Sequence, residues 1–287
     1  MKIFDCHSHW STSRGTLFRT EAEQANQARI WGTEFKFQTE QEMTDTFRKA
    51  NARVILDLAT TILYDHTLDE IREIHDYSYE QQRKHSDVIF GHWLSLDPRL
   101  GKDGVREFQR SIEQNAGFIG FAVVGQVKDG YPASDPIWDP YYKASIDAKV
   151  PVLIHSGLTG IGQGMPGGLG IILDHGHPRH IDAVAARFPE LQILAARPAY
   201  PWQDEMIAVL LHKANVSYEL HGWSPKAFSP ALKREIGGRL QDRIMFGCDY
   251  PVLKYDMLFE RWRGLGYSDE VLQKVFHLNA ERYFPGA

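Results

Sequence analysis

The 287-residue chain has few cysteines and no long apolar run, and both absences restrict its class. Its two cysteines, Cys6 and Cys248, cannot build a disulfide framework, and in a reducing compartment we interpret them as buried packing residues. No apolar run approaches the ~20 residues of a membrane span. The first residues run directly into a predicted strand, without room for a signal sequence. We therefore expect a cytoplasmic protein with no membrane partner.

A basic excess is also absent. The chain has 32 Lys and Arg residues against 37 Asp and Glu, a net charge of −5, so it offers no electrostatic footprint for nucleic acid. A small neutral or anionic molecule is the expected partner. Because α/β barrels of this length commonly form one unit, we predict a single domain over residues 1–287.

Short apolar runs alternate along the chain with segments whose apolar residues recur every three or four positions. Eight of these runs are predicted strands: residues 2–6, 53–59, 88–96, 118–124, 150–155, 191–196, 216–220 and 243–248. Eight alternations predict an α/β fold, a closed (β/α)8 TIM barrel. The main rival is an open doubly wound sheet, but no Gly-x-Gly-x-x-Gly turn follows the first strand.

Two links are long for a barrel, at about residues 10–38 and 157–178, and the second is rich in glycine. Both follow a predicted strand, so we expect them at the strands' C-terminal end, where barrel active sites lie. Thr39 and Glu42 have capping-box spacing ahead of one helix, and Ser268 is a good N-cap for the last.

Four residues near strand ends form a candidate metal site: His7, His9, His155 and Asp249. Alternate side chains of a strand share a face, so His7 and His9 are predicted to point the same way. Three imidazoles and a carboxylate suit zinc or a similar divalent ion, which would activate a bound water or polarise a carbonyl. By the same alternation Cys6, beside His7, is predicted to face away from the metal.

These motifs, together with the closing stretch His277-Leu278-Asn279-Ala280-Glu281-Arg282, resemble the amidohydrolase superfamily. More narrowly, they resemble its amidohydrolase-related branch, which includes aminocarboxymuconate-semialdehyde decarboxylase. The resemblance implies a (β/α)8 metalloenzyme with His7, His9, His155 and Asp249 around one divalent ion, zinc or else manganese. Two-metal members carry a lysine at the end of the fourth strand, and residues 118–125 contain none. The branch often forms dimers, which leaves a homodimer open.

One position departs from that branch. After the sixth strand its members commonly read Ala-His-Pro-Gly, and that histidine handles the metal-bound water, whereas this chain has Arg197 there. Arginine is no base at neutral pH but binds carboxylates well. His221, at the end of the seventh strand, is a candidate replacement base, and Asp249 is the other.

Further residues are predicted to bind substrate besides Arg197. Arg14 and Arg19 in the first long link would meet an anion, and Trp10 and Trp223 would stack on a planar ring. His177, which precedes a proline, is predicted to serve in a substrate loop or as a helix cap.

Four functions remain open. The main hypothesis is a metal-dependent hydrolase that attacks a lactone or amide of a small cyclic or aromatic acid. The first alternative is a non-oxidative decarboxylase of an aromatic or muconate-type acid, in aromatic compound catabolism. The resemblance also allows a metal-independent lactonase, and the arginine at the base position allows a binding protein on an enzyme scaffold.

Overall fold

A computed structural model describes residues 1–16, 20–32, 36–63, 65–114, 117–284 and 286. Its eight strands are parallel and pair in chain order. They are β1 Ile3–Ser8, β2 Ala52–Asp57, β3 Ile89–Leu94, β4 Phe118–Val123, β5 Val152–His155, β6 Ile193–Ala196, β7 Val216–Glu219 and β8 Ile244–Met245. The sheet closes where Cys6 N donates to Phe246 O and Asp249 N donates to His7 O, at 3.0 and 2.9 Å. The predicted TIM barrel is therefore confirmed.

Helices surround the barrel and follow the strands. They are α1 Glu21–Trp31, α2 Glu40–Lys49, α3 Thr60–Leu63, α4 Leu68–Lys84, α5 Gly101–Glu113, α6 Asp139–Ala148, α7 Pro178–Arg187, α8 Gln203–His212, α9 Pro230–Ile236, α10 Tyr255–Arg263, α11 Asp269–Gln273 and α12 Asn279–Tyr283. A π-helical turn, Lys274–Leu278, joins the last two. The capping box of Thr39 and Glu42 and the Ser268 cap both form as predicted. None of the helices in the described ranges has the length and apolar content that a membrane span requires.

The alternation of strand side chains divides the core into two layers. In β2, Val54 and Leu56 pack outward against the helices, whereas Ile55 points into the barrel. The interior layer also holds Phe4, Cys6, Trp93, Ala122, Leu153, Leu194 and Met245. This layer fills the lower barrel, and Asp57, His155 and Glu219 lie above it as the last residues of β2, β5 and β7.

The two long links meet at that end. The first contains helix α1, which begins with a capping box of Thr20 and Glu23. The second turns through Pro166–Gly170, where Gly167 and Gly168 have left-handed backbone angles, and then through a short 3-10 segment, Leu173–Gly176. The amide of Asn26 in α1 donates to Gln163 O at 3.4 Å. The links therefore form one cover beside the barrel mouth.

Candidate metal centre and cavity

Strand β1 carries the first two candidate ligands, and a break in its register decides where they point. The pairing with β2 shifts between Asp5 and Ser8. Cys6 consequently stays in the interior layer, with its Sγ 3.9 Å from Met245 Sδ, while His7 also faces inward. The prediction that Cys6 faces away from the metal side is therefore wrong. His7 Nε2 lies 3.4 Å from His9 Nε2, so the two rings do share one face.

Asp249 follows β8 in a left-handed backbone conformation, with φ of 64°. Aspartate tolerates this region better than most residues. The turn is tied to β1 by the hydrogen bond from Asp249 N to His7 O. It places Asp249 Oδ1 3.1 Å from His9 Nε2.

Asp57, the last residue of β2, joins His155, the last residue of β5, across the barrel. Asp57 Oδ2 lies 3.3 Å from His155 Nε2 and 3.5 Å from His7 Nε2. The carboxylate is fully buried, and its other oxygen accepts a hydrogen bond from Ser95. Sequence reasoning missed Asp57, although a charged residue that ends an apolar strand carries the same signal as His155.

These groups fit a divalent cation. His7 belongs to three sets whose ligand atoms lie within 4.8 Å of one another. One set adds His9 and Asp249, one adds Asp57 and His155, and the third adds Glu219 and His221, while the first two sets together comprise five groups. Imidazole nitrogens and carboxylate oxygens together suit zinc or manganese. All five groups are buried, and His7 Nδ1 and His9 Nδ1 have no hydrogen-bond partner in the described part of the chain. A cation would neutralise two carboxylates that the barrel otherwise buries at a cost.

A second polar group adjoins this cluster and contains Arg197, His221 and Glu219. His221 stacks on His7, with ring centroids 3.6 Å apart. Its Nδ1 pairs with Glu219 Oε1 at 2.5 Å, and its Nε2 accepts a hydrogen bond from Arg197 Nε at 3.0 Å. Both ring nitrogens are therefore engaged. Glu219, the last residue of β7, was also missed from the sequence.

Burial is the largest single influence on the pKa of each of these groups. It lowers the pKa of His7 well below its ordinary value and that of His155 to about 4, although the hydrogen bond to Asp57 opposes the second shift. Burial also disfavours a charged His9, but the hydrogen bond and charge of Asp249 outweigh it and raise the pKa of His9. Burial raises the pKa of Glu219 to about 8. Neutral His7 and His155 are in the form that binds a metal.

Behind the ligands, Asp5 fastens the ends of β1 and β8 together. Its Oδ1 accepts hydrogen bonds from His7 N and Cys248 N, at 3.1 and 2.9 Å. Its Oδ2 accepts from Ser8 Oγ and Tyr255 Oη, both at 2.6 Å. Burial raises the pKa of Asp5 to about 7. This side chain holds the two segments that carry His7 and Asp249.

A cavity of about 490 Å³ opens above the cluster, within the range of ~300–1,000 Å³ typical of small-molecule sites. Polar side chains reach it on one side, and glycine-rich link, loop and helix residues form the rest of its wall. The lining includes His9, Leu63, Val124, Gln126, His155, Leu158, Ile161, Arg197, Trp223, Asp249, Leu253, Lys254, Met257 and Arg261.

Several predicted substrate residues lie elsewhere. Trp10 is buried in the core, where it stacks on His92, and does not line the cavity. Arg14 lies over the Tyr77 ring beside a separate surface pocket, so it does not reach the cluster. His177 caps helix α7 by accepting a hydrogen bond from Arg179 N. Trp10 and Arg14 therefore lie away from the cavity, His177 serves as the helix cap that was one of its two predicted roles, and Arg19 lies outside the described residues.

Trp223 and Arg197, by contrast, stand on the cavity wall. The Trp223 ring lies against Tyr200, with centroids 5.1 Å apart. Nearby, Lys254, Met257 and Arg261 from the α10 region line the cavity and were not singled out from the sequence. Their approach depends on the turn after β8, which residue patterns do not define.

A family model and several solved structures match nearly the whole chain. A family model described as Amidohydrolase matches residues 4–286. No curated protein sequence matches the chain. Similar solved structures include 5-carboxyvanillate decarboxylase from Sphingomonas paucimobilis, at 16% identity, a TM-score of 0.69 and coverage of 99% of this chain and 98% of that one. The same enzyme from Novosphingobium aromaticivorans, complexed with manganese and a nitrobenzoic acid, has 16% identity and a TM-score of 0.68. That match covers 99% of this chain and 96% of the other.

A third relative, 2,6-dihydroxybenzoate decarboxylase from Rhizobium, has 16% identity, a TM-score of 0.70 and coverage of 99% of this chain and 98% of its own. All three relatives are named as decarboxylases of aromatic acids. They contradict the main prediction, a hydrolase of a lactone or amide, and favour the decarboxylase alternative.

Proposed function

The chain belongs to the amidohydrolase family, and from this premise we propose that it is a metal-dependent, non-oxidative decarboxylase of an aromatic or muconate-type acid. Within the family, the resemblance of the sequence motifs to those of aminocarboxymuconate-semialdehyde decarboxylase also supports a decarboxylase function. The substrate would be a small anion that enters the cavity above the His and Asp cluster.

The observation that carries the proposal is the engagement of both ring nitrogens of His221. A base that activates water needs a free lone pair within reach of that water. Here Glu219 and Arg197 occupy the two nitrogens. Arg197 itself is a permanent cation on the cavity wall, which suits it to bind a carboxylate. This arrangement supports recognition of an acid.

His7, His9, His155 and Asp249 would hold the ion, manganese or zinc, with Asp57 beside His7 and His155. When bound, such an ion polarises the oxygens of an acid that reaches it. Arg197 would orient the reacting carboxylate, and Trp223 would pack against the planar part of the acid and exclude water.

Decarboxylation transfers a proton to the carbon that bears the carboxylate. The carbon–carbon bond then breaks, its electron pair restores the conjugated system that the proton had interrupted, and carbon dioxide leaves. We assign the delivery of this proton to Asp249, which lines the cavity, has one carboxylate oxygen against His9 and would take the proton up from solvent before passing it to the carbon. His221 would hold Arg197 in place.

The test is to incubate the manganese- or zinc-loaded protein with 5-carboxyvanillate, 2,6-dihydroxybenzoate and related acids. We expect equal amounts of carbon dioxide and of a product that lacks one carboxyl group, with one deuterium on the ring carbon in heavy water. Asp249→Asn is expected to lower turnover by about 10²–10⁴. The control variant Asp256→Asn, at an exposed position on α10, is expected to have the turnover of the natural chain. A product that retains its carboxyl groups and gains labelled solvent oxygen would overturn the proposal.

Arg197→Gln separates substrate binding from chemistry. Loss of the guanidinium is expected to raise KM for the acid more than it lowers kcat, because Arg197 is assigned to hold the carboxylate. The matched control is Arg179→Gln, whose side chain pairs with Asp174 outside the cavity. An unchanged KM for Arg197→Gln would remove Arg197 from the substrate site.

A further inference from the structure

One face of the α10 region carries two cationic side chains into the cavity. Lys254, which directly precedes the helix, Met257 and Arg261 all line the wall. Their spacings of three and four residues place them on one helix face. Lys254 is exposed, whereas Arg261 is partly buried.

Neither cation is neutralised by the protein. In the part of the chain that the structure describes, the Lys254 and Arg261 side chains have no ion pair and no hydrogen-bond partner. Arg263, two residues further on, instead lies over the Phe259 ring outside the cavity. A partly buried guanidinium without an anionic partner is unfavourable unless a ligand supplies one.

The charges on the cavity wall are therefore out of balance. Three described side chains on the wall are basic, Arg197, Lys254 and Arg261, against one carboxylate, Asp249. The carboxylates of Asp57 and Asp249 would balance a bound divalent ion and so would not neutralise these side chains as well. One substrate carboxylate at Arg197 leaves the two cations of α10 without a counter-charge.

We propose that Lys254 and Arg261 form a subsite for a second acidic group, so that the preferred substrate is a dianionic acid with a planar spacer between its two anionic ends. This inference rests on the proposed function for the placement of the reacting carboxylate at Arg197. Met257, between the two cations on the helix face, supplies an apolar contact for the spacer.

Titration calorimetry of the manganese-loaded protein tests the subsite with two unreactive probes, benzoate and isophthalate, at constant ionic strength. They differ by one carboxylate. Isophthalate is expected to bind about tenfold or more tightly than benzoate, the fold-change of one charge-assisted contact. Arg261→Gln should reduce the ratio of the benzoate Kd to the isophthalate Kd to about threefold or less. Lys254→Gln should reduce this ratio by a smaller factor. Raising the salt concentration should weaken isophthalate binding more than benzoate binding.

The matched control is Arg263→Gln, which removes the same charge from the same helix but outside the cavity. It is expected to leave the ratio unchanged. Arg261→Met serves as a second variant if the glutamine variant fails to fold, and thermal melting and metal content are checked for each. Equal binding of the two probes by the natural chain, failure to bind either, or a ratio unaffected at Arg261 would overturn the subsite.

The outcomes separate the two proposals. Selective isophthalate binding through Arg261 without any decarboxylation would support the subsite and reject the proposed function. Decarboxylation of monoacids with equal binding of benzoate and isophthalate would support the function and reject the subsite.

Discussion

Among single residues, Asp57 is the buried group that most directly links two candidate ligands. Its Oδ2 lies 3.3 Å from His155 Nε2 and 3.5 Å from His7 Nε2. Burial alone would favour the protonated acid, but the hydrogen bond to His155 and the neighbouring histidines hold the pKa of Asp57 below its ordinary value. We therefore expect Asp57 to be a charged partner of the metal site.

Asp57→Asn is predicted to weaken binding of manganese or zinc by about 10–100-fold, the effect typical of groups that orient metal ligands. Competition with a chromogenic chelator measures the affinity. The control is Asp103→Asn, an exposed residue on α5, which should bind metal as the natural chain does. Unchanged affinity in Asp57→Asn would show that the carboxylate is not needed to hold the ion.

His92 provides a pH-dependent contribution to stability away from the metal site. Burial lowers its pKa to about 3, and in the described ranges neither ring nitrogen has a hydrogen-bond partner. An unfolded histidine has a pKa near ~6.5, so between these values the unfolded chain binds a proton that the folded chain does not. The stabilisation is therefore complete above pH ~6.5 and decreases as the pH falls below it.

His92→Leu is predicted to remove this dependence. Between pH 7.5 and 5.5, the free energy of unfolding should fall by about 1 kcal/mol less in the variant than in the natural chain. Denaturant titrations at the two pH values measure it, and His212→Leu, at an exposed site, should behave as the natural chain does. If the free energy of unfolding changed with pH equally in His92→Leu and the natural chain, His92 would not be a source of the pH dependence.

Residue type and position predicted part of the site. His7, His9, His155 and Asp249 were identifiable because imidazoles and a carboxylate at strand ends are costly to bury without a function. That Cys6 and His7 both face inward was not identifiable, since it depends on a register shift that no residue pattern marks. Trp10 was assigned to the substrate because sequence adjacency to His9 does not reveal which way a loop side chain turns.

At the scale of elements, helix α2 begins with a capping box that the sequence already showed. Thr39 accepts a hydrogen bond from Glu42 N, and the Glu42 side chain accepts one from Thr39 N at 2.8 Å. Thr39→Ala is predicted to lower the free energy of unfolding by about 1 kcal/mol. Thr46→Ala, within the same helix, is the control, and chemical denaturation compares them. Equal losses in the two variants would argue against a specific contribution of the cap.

The helices and strands were predictable to different degrees. Strand positions followed from apolar runs, because both faces of a barrel strand are buried. Helix α1 was hidden in a link read as irregular, although Thr20 and Glu23 carry the same capping pattern as Thr39 and Glu42. Its weakly apolar sequence lacks the periodic stripe on which the other helix predictions relied.

For the whole molecule, the candidate metal lies where the closed sheet joins its first and last strands. His7 and His9 come from β1, and Asp249 follows β8. Backbone hydrogen bonds from Cys6 N, His9 N and Asp249 N cross this junction. An ion held from both sides would stabilise the closure itself.

Metal removal is therefore predicted to loosen this junction more than the rest of the barrel. A ligand that binds only the closed form at 100 times its Kd adds about 2.7 kcal/mol, so amide exchange through local opening of the junction should slow about 100-fold with metal. Hydrogen exchange with mass spectrometry compares peptides that contain residues 3–9 and 244–250 with those from α6, which does not contact the cluster. The His7→Ala, His9→Ala double variant should bind little metal and show no slowing. If metal slowed exchange equally in all peptides, or did not slow it at the junction, the proposal that the metal joins the first and last strands would be rejected.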